Sequence, residues 1–223
     1  MEIDYVIAWV DGQDPAHMAA RRQFAPDSAR THFEAITSER YLDNGEIYYN
    51  IASVIKFAPF IKRIFIITDH QKPRLLDAFK HEGKCDASFI QIVSHDDIFE
   101  GLPAVRPSFN ARAIEGAMWR IPGLSEHFIY SNDDFFVNAP LTISDLYEDE
   151  RPVLHGDWVR PENTHWKYKL RRLLGKISRY EYTFPKFRMA QWKGAVAAGM
   201  KDRFMSIHHH PHPLRRSTLA TFF

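Results

Sequence analysis

An α/β protein, with a mostly parallel sheet and helices on both of its faces, is the fold this sequence predicts. Three observations predict it. Short apolar runs rich in β-branched residues alternate with segments of helical periodicity through residues 3–131, the pattern of strands joined by helical crossovers. Three of those runs break off in polar residues, at Asp11-Gly12, Thr68-Asp69 and Asn132-Asp133-Asp134, and in a parallel sheet such ends lie along one edge. The charge balance changes sign near residue 150: residues 1–150 carry 14 Lys/Arg against 24 Asp/Glu, and residues 151–223 carry 15 against 4. An acidic core is therefore followed by a basic C-terminal extension.

Taken in order, Ile3–Val10 reads as a buried first strand, and Asp11-Gly12-Gln13-Asp14-Pro15 ends it with turn chemistry. Residues 16–42 are mixed and in part helical. Asp43 or Asn44 caps the next helix, with Glu46 completing a capping-box-like pattern. Ile47, Ile51, Val54, Ile55 and Ala58 follow on one helical face and Pro59 stops it. Ile64–Thr68 is the second strand, Pro73–Glu82 a helix and Phe89–Val93 the third strand. Asn110–Ile121 is a helix with Ala113, Ile114, Ala117, Met118 and Ile121 on one face, and Pro122-Gly123 ends it. Phe128–Ser131 is the fourth strand. Beyond Arg151, Lys167–Leu174 has the pattern of a basic amphipathic helix. The expected division is an α/β core over 1–150, then a basic helical segment and a His-rich block over 151–223.

Composition narrows the class. With 45% hydrophobic residues the chain can build a core, and its apolar runs are far shorter than the ~18 residues of a membrane span. Met1-Glu2-Ile3-Asp4 is acidic and runs straight into a strand, unlike a secretory signal. A single cysteine, Cys85, excludes an internal disulfide and fits a reducing cytosol. The expected location is cytoplasmic. The basic second half faces substrate phosphates or anionic headgroups at the inner membrane surface, or else docks on the acidic half. No nucleic-acid partner is expected.

The most informative stretch is His127–Phe136, where an apolar strand ends in an amide and two adjacent carboxylates and then turns apolar again. Buried carboxylates are costly unless paired or metal-bound. Asp133 and Asp134 are thus candidate ligands for a divalent cation, Mg2+ or Mn2+, one of them doubling as a general base; a turn or helix cap is the plainer alternative. Trp9, Asp11 and Gly12 offer a stacking ring, a ribose or metal contact and a close backbone approach, or simply a β-turn. In His208-His209-His210-Pro211-His212, histidine suits proton transfer near neutral pH, and a basic tail is the alternative. Arg215 and Arg216 can pair with phosphate oxygens. Together these residues point to an enzyme acting on a phosphorylated substrate.

The same residues carry a resemblance. Ile3–Gly12 resembles the first conserved block of the Stealth family. Asp43-Asn44-Gly45-Glu46 through Ile64–Asp69, Ser94–Phe99 and Arg120–Asp134 resembles its second block, and His209–Arg216 its third. Stealth proteins are bacterial capsule and exopolysaccharide phosphotransferases, related to the animal enzyme that tags lysosomal glycoproteins. The resemblance implies a Rossmann-like core, a divalent metal, a nucleotide-sugar donor and an oligo- or polysaccharide acceptor. The implied reaction moves a hexose 1-phosphate to a sugar hydroxyl and releases a nucleoside monophosphate. It implies metal binding at Asp133 and Asp134 and proton transfer by His209 or His212. It implies phosphate contacts from Arg215 and Arg216, and a nucleotide pocket lined by Trp9, Asp11, Gly12, Asn44 and Asp69. Departures are Tyr48 and Ala52 in place of arginines, and Arg112 and Trp119 in place of Asn and His. The family's fourth block is not found after Arg216, so the chain reads as truncated or divergent there. Two alternatives stay open: a metal-dependent glycosyltransferase releasing a nucleoside diphosphate, and a non-catalytic glycan or nucleotide-sugar binder.

Overall fold

A computed structural model describes residues 1–24, 43–81, 88–102, 108–161 and 186–223. The chain forms two compact units, Met1–Val153 with His210–Phe223, and Leu154–His209. The final segment, expected to belong with the basic extension, is therefore part of the first unit.

The first unit is built on a five-stranded sheet. In chain order its elements begin with β1 (Ile3–Ala8), α1 (Pro15–Phe24), α2 (Glu46–Phe57), β2 (Ile61–Thr68), α3 (Leu76–His81) and β3 (Ile90–Ser94). Then come α4 (His95–Phe99), α5 (Ala111–Ala117) with a 3-10 turn over Met118–Arg120, and β4 (His127–Asn132). The strand order is β3-β2-β1-β4, followed by the edge strand His212–Arg215. β1 to β4 are mutually parallel and the edge strand runs antiparallel to β4. β1 thus lies between β2 and β4, and the strand order reverses there. A small hairpin of β5 (Tyr147–Glu148) and β6 (Arg151–Pro152) completes the unit.

Alternation along the strands divides the core into two layers. Ile3, Tyr5 and Ile7 of β1, Ile64 and Ile66 of β2 and Ile129 of β4 pack against Ile47, Ile51 and Val54 of α2. Val6, Phe65, Ile67, Phe128 and Tyr130 face the other way, against Ile98 and Phe99 of α4 and Ile114 and Ala117 of α5. With both faces covered, the strands read as near-continuous apolar runs, which is why they were legible. Asp4 is the exception on β1. It has no exposed surface and takes two hydrogen bonds from Arg63, at 3.1 and 2.9 Å, and one from the Ser125 backbone N–H at 2.7 Å.

Two local expectations are corrected. The N-cap of α2 is Gly45 at φ 88°, with no side-chain cap. Glu46 instead accepts the Asn44 backbone N–H at 2.8 Å and its side-chain amide at 3.0 Å. A side chain at Gly45 would be strained by that φ and would crowd Tyr48 at 3.2 Å. The helix expected over Pro73–Glu82 starts at Leu76 rather than Pro73 and is described through His81. A short helix, α4, follows β3 directly, with Ser94 and Asp97 forming the capping box. The expected basic helix over Lys167–Leu174 lies outside the described residues.

The second unit pairs β7 (Gly156–Val159) antiparallel with β8 (Phe204–Ile207) and carries α6 (Lys186–Ala197), whose Trp192 ring meets Phe204 at 5.7 Å. Gly156 sits where any Cβ would lie 2.5 Å from the Ser206 carbonyl oxygen, so the pairing needs glycine there. After β8 the chain re-enters the first unit as β9 (His212–Arg215) and ends in α7 (Arg216–Phe222). Proline at 213 argues against a strand, but β9 is the sheet edge, where a missing N–H is tolerated. No helix among the described residues is long and apolar enough to cross a membrane.

Candidate active site

The four parallel strands bring Ala8, Thr68, Ser94 and Asn132 to one rim. The reversal between β1 and β4 opens a crevice there, where sheets of this kind hold ligands. The chain beyond β4 makes a turn over Asn132–Phe135, with the Phe135 N–H donating to the Asn132 carbonyl at 3.4 Å. Asp133 and Asp134 are its two central residues. Four further hydrogen bonds hold this turn and the chain that follows it. Asn50 of α2 donates its amide to the Asn132 carbonyl at 2.8 Å and to Ser131 Oγ at 3.3 Å. Ser131 Oγ donates to the same carbonyl at 2.9 Å, and Ser53 accepts the Val137 N–H at 2.9 Å.

The acid pair stands in a negative environment. Burial, above all, raises the Asp133 carboxyl to about 6, and the nearby charges of Asp134, Asp43 and Glu46 push it the same way. No lysine or arginine among the described residues pairs with Asp133 or Asp134. A folded-state value above the ordinary 3.8 means the native protein holds its proton where the unfolded chain has lost it. Stability contributed by this group therefore falls as pH rises from about 4 to about 6. Asp133→Asn is expected to remove that fall. The variant should be more stable than the parent at pH 7, by up to about 3 kcal/mol, with urea denaturation curves that converge below pH 4. A variant that is less stable at pH 7 would contradict the environment described.

Two carboxylates suit a cation that keeps part of its shell for substrate oxygens, as Mg2+ does. Among the described residues no three His, Cys, Asp or Glu are placed to hold a metal by themselves. The residues present thus fit a metal completed by a ligand rather than one caged by protein.

On the α5 face, Tyr130 donates toward Glu115 at 3.3 Å and Asn132 Oδ1 at 3.2 Å. Burial raises the Glu115 carboxyl above its usual range and pushes the Tyr130 phenol far up, aided by Glu115 and the acid pair. A phenol has one proton, so both contacts are satisfied together when Glu115 is protonated and donates to the Tyr130 oxygen. His212 pairs directly with Tyr130 across β4 and β9, and residues directly opposite one another share a sheet face. His212, Tyr130, Asn132 and Glu115 therefore converge beside the acid turn.

The other rim residues are placed as follows. Gln71 ties the β1 and β2 loops together: its amide donates to the Asp11 carbonyl at 2.9 Å and its Oε1 accepts the Asp11 N–H at 2.8 Å. Asp69 lies between two buried imidazoles, His17 at 3.7 Å and His95 at 3.9 Å, both held neutral chiefly by burial. Gly12 is buried, and Asn44 is exposed with its amide on Glu46. Trp9, expected to stack on a base, is only 4% exposed and packs in the core beside α2. The expectation for Arg215 and Arg216 also meets a different geometry. Arg215 pairs with His127, the first residue of β4, and forms an ion pair with Glu126 at 3.2 Å; the Arg216 N–H donates to the Glu126 carbonyl. They stand at the opposite rim, about 16 Å away by the strand rise of roughly 3.3 Å per residue, because β9 enters antiparallel and carries them away from the crevice. His209 is exposed at the end of the second unit.

Sequence reasoning missed Glu115, Asn50 and Gln71. Asn50 left a signal, since it falls among Ile47, Ile51 and Val54 at helical spacing, a polar group on an apolar face. Glu115 left none, because only the fold brings it to Tyr130.

A parallel sheet with helices on both faces, whose reversal point carries an acid pair, defines a doubly wound α/β protein. The chain matches the family model for Stealth protein CR2, conserved region 2, over residues 40–153, and it belongs to the Stealth family. It is 39% identical over 147 residues to a capsular polysaccharide phosphotransferase of Actinobacillus pleuropneumoniae, covering 66% of this chain and 38% of that protein. An exopolysaccharide phosphotransferase of Streptomyces coelicolor is 38% identical over 145 residues, covering 65% and 23%. A receptor polysaccharide phosphotransferase of Streptococcus oralis is 34% identical over 151 residues, covering 67% and 42%. The chain thus spans well under half the length of these relatives.

Proposed function

We propose that this protein transfers a hexose 1-phosphate from a nucleotide-sugar to a sugar hydroxyl, in the synthesis of a capsule or exopolysaccharide. The observation that carries the reading is the acid turn at the β1/β4 crevice, with His212 and Glu115 beside it. The names of the relatives, all polysaccharide phosphotransferases, support it. The acceptor hydroxyl attacks the phosphorus bonded to the donor sugar. A new oxygen–phosphorus bond forms, the bond to the bridging oxygen breaks, and nucleoside monophosphate departs. Such transfers depend on positioning and charge neutralisation.

Asp134, exposed at the turn, takes the acceptor proton. Asp133, half-buried and ionised above about pH 6, would hold a divalent cation with it. Such a cation, when bound, supplies neutralisation of the phosphate oxygens. His212 is the proton partner on the nucleotide side, in preference to His209, because β9 places it opposite Tyr130. Asp11, held by Gln71, and Gly12 border the nucleotide. We place the reaction on the cytoplasmic side, where nucleotide-sugars are made.

The test is to incubate the protein with Mg2+ or Mn2+, a set of nucleotide-sugars and oligosaccharide acceptors, and to identify the nucleotide released. Nucleoside monophosphate is expected. Nucleoside diphosphate would instead establish a glycosyltransferase, and binding without release a non-catalytic role.

A further inference from the structure

Two large aromatic rings stand in solvent beside the acid turn. Tyr49 is 73% and Phe136 64% exposed. They belong to two segments that run side by side in the same direction. The Asn132 carbonyl is held by Asn50, the Val137 N–H by Ser53, and the Leu141 N–H by the Phe57 carbonyl at 2.8 Å. Tyr49 lies one helical turn before Ser53, on its side of α2, and Phe136 immediately precedes Val137. Both rings therefore border the same stretch, two residues from Asp134 along the chain in the case of Phe136. Neither ring is covered by another part of the described first unit, and exposed apolar surface of this kind marks a binding surface.

We propose that Tyr49 and Phe136 form the platform on which a neutral pyranose ring of the acceptor stacks. This rests on the reading of Asp134 as the group that takes the acceptor proton. The chemistry of the surroundings selects the occupant. A pyranose ring presents one face of C–H groups, which packs on an aromatic face, and a rim of hydroxyls, which points to polar neighbours. The groups near the two rings along the chain are acidic: Glu46 lies one helical turn before Tyr49 on α2, Asp133 and Asp134 immediately precede Phe135-Phe136, and Asp43, Glu46 and Asp134 are near enough to act on the Asp133 carboxyl. They accept hydroxyl protons and repel an anionic group, so the ring in contact with the platform carries no phosphate or carboxylate.

The experiment titrates the full chain with maltotriose, chitotriose and N-acetyllactosamine, followed by calorimetry and by acceptor KM. At least one of these is expected to bind the parent protein. Phe136→Ala and Tyr49→Ala are each expected to weaken that binding at least tenfold, while Tyr49→Phe and Phe136→Tyr, which keep a ring, retain it. Melting temperatures should hold, since both rings are exposed. Affinity unchanged in the alanine variants, or no trisaccharide bound by the parent, overturns the platform. A parent that is a dimer and becomes monomeric in Phe136→Ala also overturns it, in favour of a protein interface. If the parent releases nucleoside monophosphate but the alanine variants keep acceptor affinity, the platform fails and the reaction stands. If the rings bind the saccharide and no nucleotide is released, the reaction fails and the platform stands.

Discussion

Asp134→Asn is expected to lower nucleoside monophosphate release by about 100- to 1,000-fold, the usual cost of losing one charge-stabilising or proton-accepting group at a transferring centre. The fold should be untouched. Asp134 is exposed at the tip of its turn, and the turn is held by the Asn132 carbonyl, Asn50 and Ser53 rather than by the Asp134 side chain. The substitution preserves shape and removes only charge and basicity. Loss of turnover with an unchanged circular dichroism spectrum and melting temperature would locate the chemistry there. The two roles open to the carboxylate separate by titration with Mg2+. If it chiefly holds the cation, high Mg2+ restores part of the rate; if it takes the proton, saturating Mg2+ restores nothing. Turnover within threefold of the parent would remove Asp134 from the mechanism.

The parts of this site that the sequence made legible are those governed by local rules. Apolar runs of four to eight residues, ended by turn-forming polar residues, located β1, β2, β3 and β4, because a parallel sheet covered on both faces needs no alternation. The acid pair was legible because Asn-Asp-Asp between apolar flanks has no packing rationale. What was not legible depends on pairings distant in sequence. Whether His212 and Arg215 share a rim turns on the direction in which β9 enters the sheet. Two prolines around it concealed that it is a strand at all. Its antiparallel entry keeps the histidine at the crevice and removes the arginines from it. Trp9 was misplaced for a similar reason: strand alternation sends residue 9 to the α2 side with Tyr5 and Ile7, and only the packed helix shows that this side is core. Glu115 reached the site through α5 lying over β4, a tertiary contact that no periodicity encodes.

The opposite rim carries the largest expected effect on stability. Asp4 is fully buried in the second residue of β1, and its charge is balanced by the forked guanidinium of Arg63 on β2. The same guanidinium donates to the Gly123 carbonyl at 2.7 Å, in the turn that leads into β4. One arginine therefore joins three consecutive parts of the sheet, at the end away from the crevice. Replacing it with methionine keeps the stem and removes the charge, leaving the Asp4 carboxylate with the Ser125 N–H alone. Removing one partner of a buried ion pair costs about 3–5 kcal/mol, which is a large part of the roughly 5–15 kcal/mol that holds a domain folded. Urea denaturation of Arg63→Met should show that loss. Adding Asp4→Asn should return part of it, because the stranded charge is gone, so the pair should show coupling in a double-mutant cycle. A loss below 1 kcal/mol in the single variant would mean that water reaches Asp4 and that the pair is not buried. A large loss without recovery in the double variant would assign the effect to the Gly123 contact instead. In either variant the crevice groups are at the far rim, so whatever fraction remains folded should keep its specific activity, and a fall in rate per folded molecule would show that the two rims are coupled through β1 and β4.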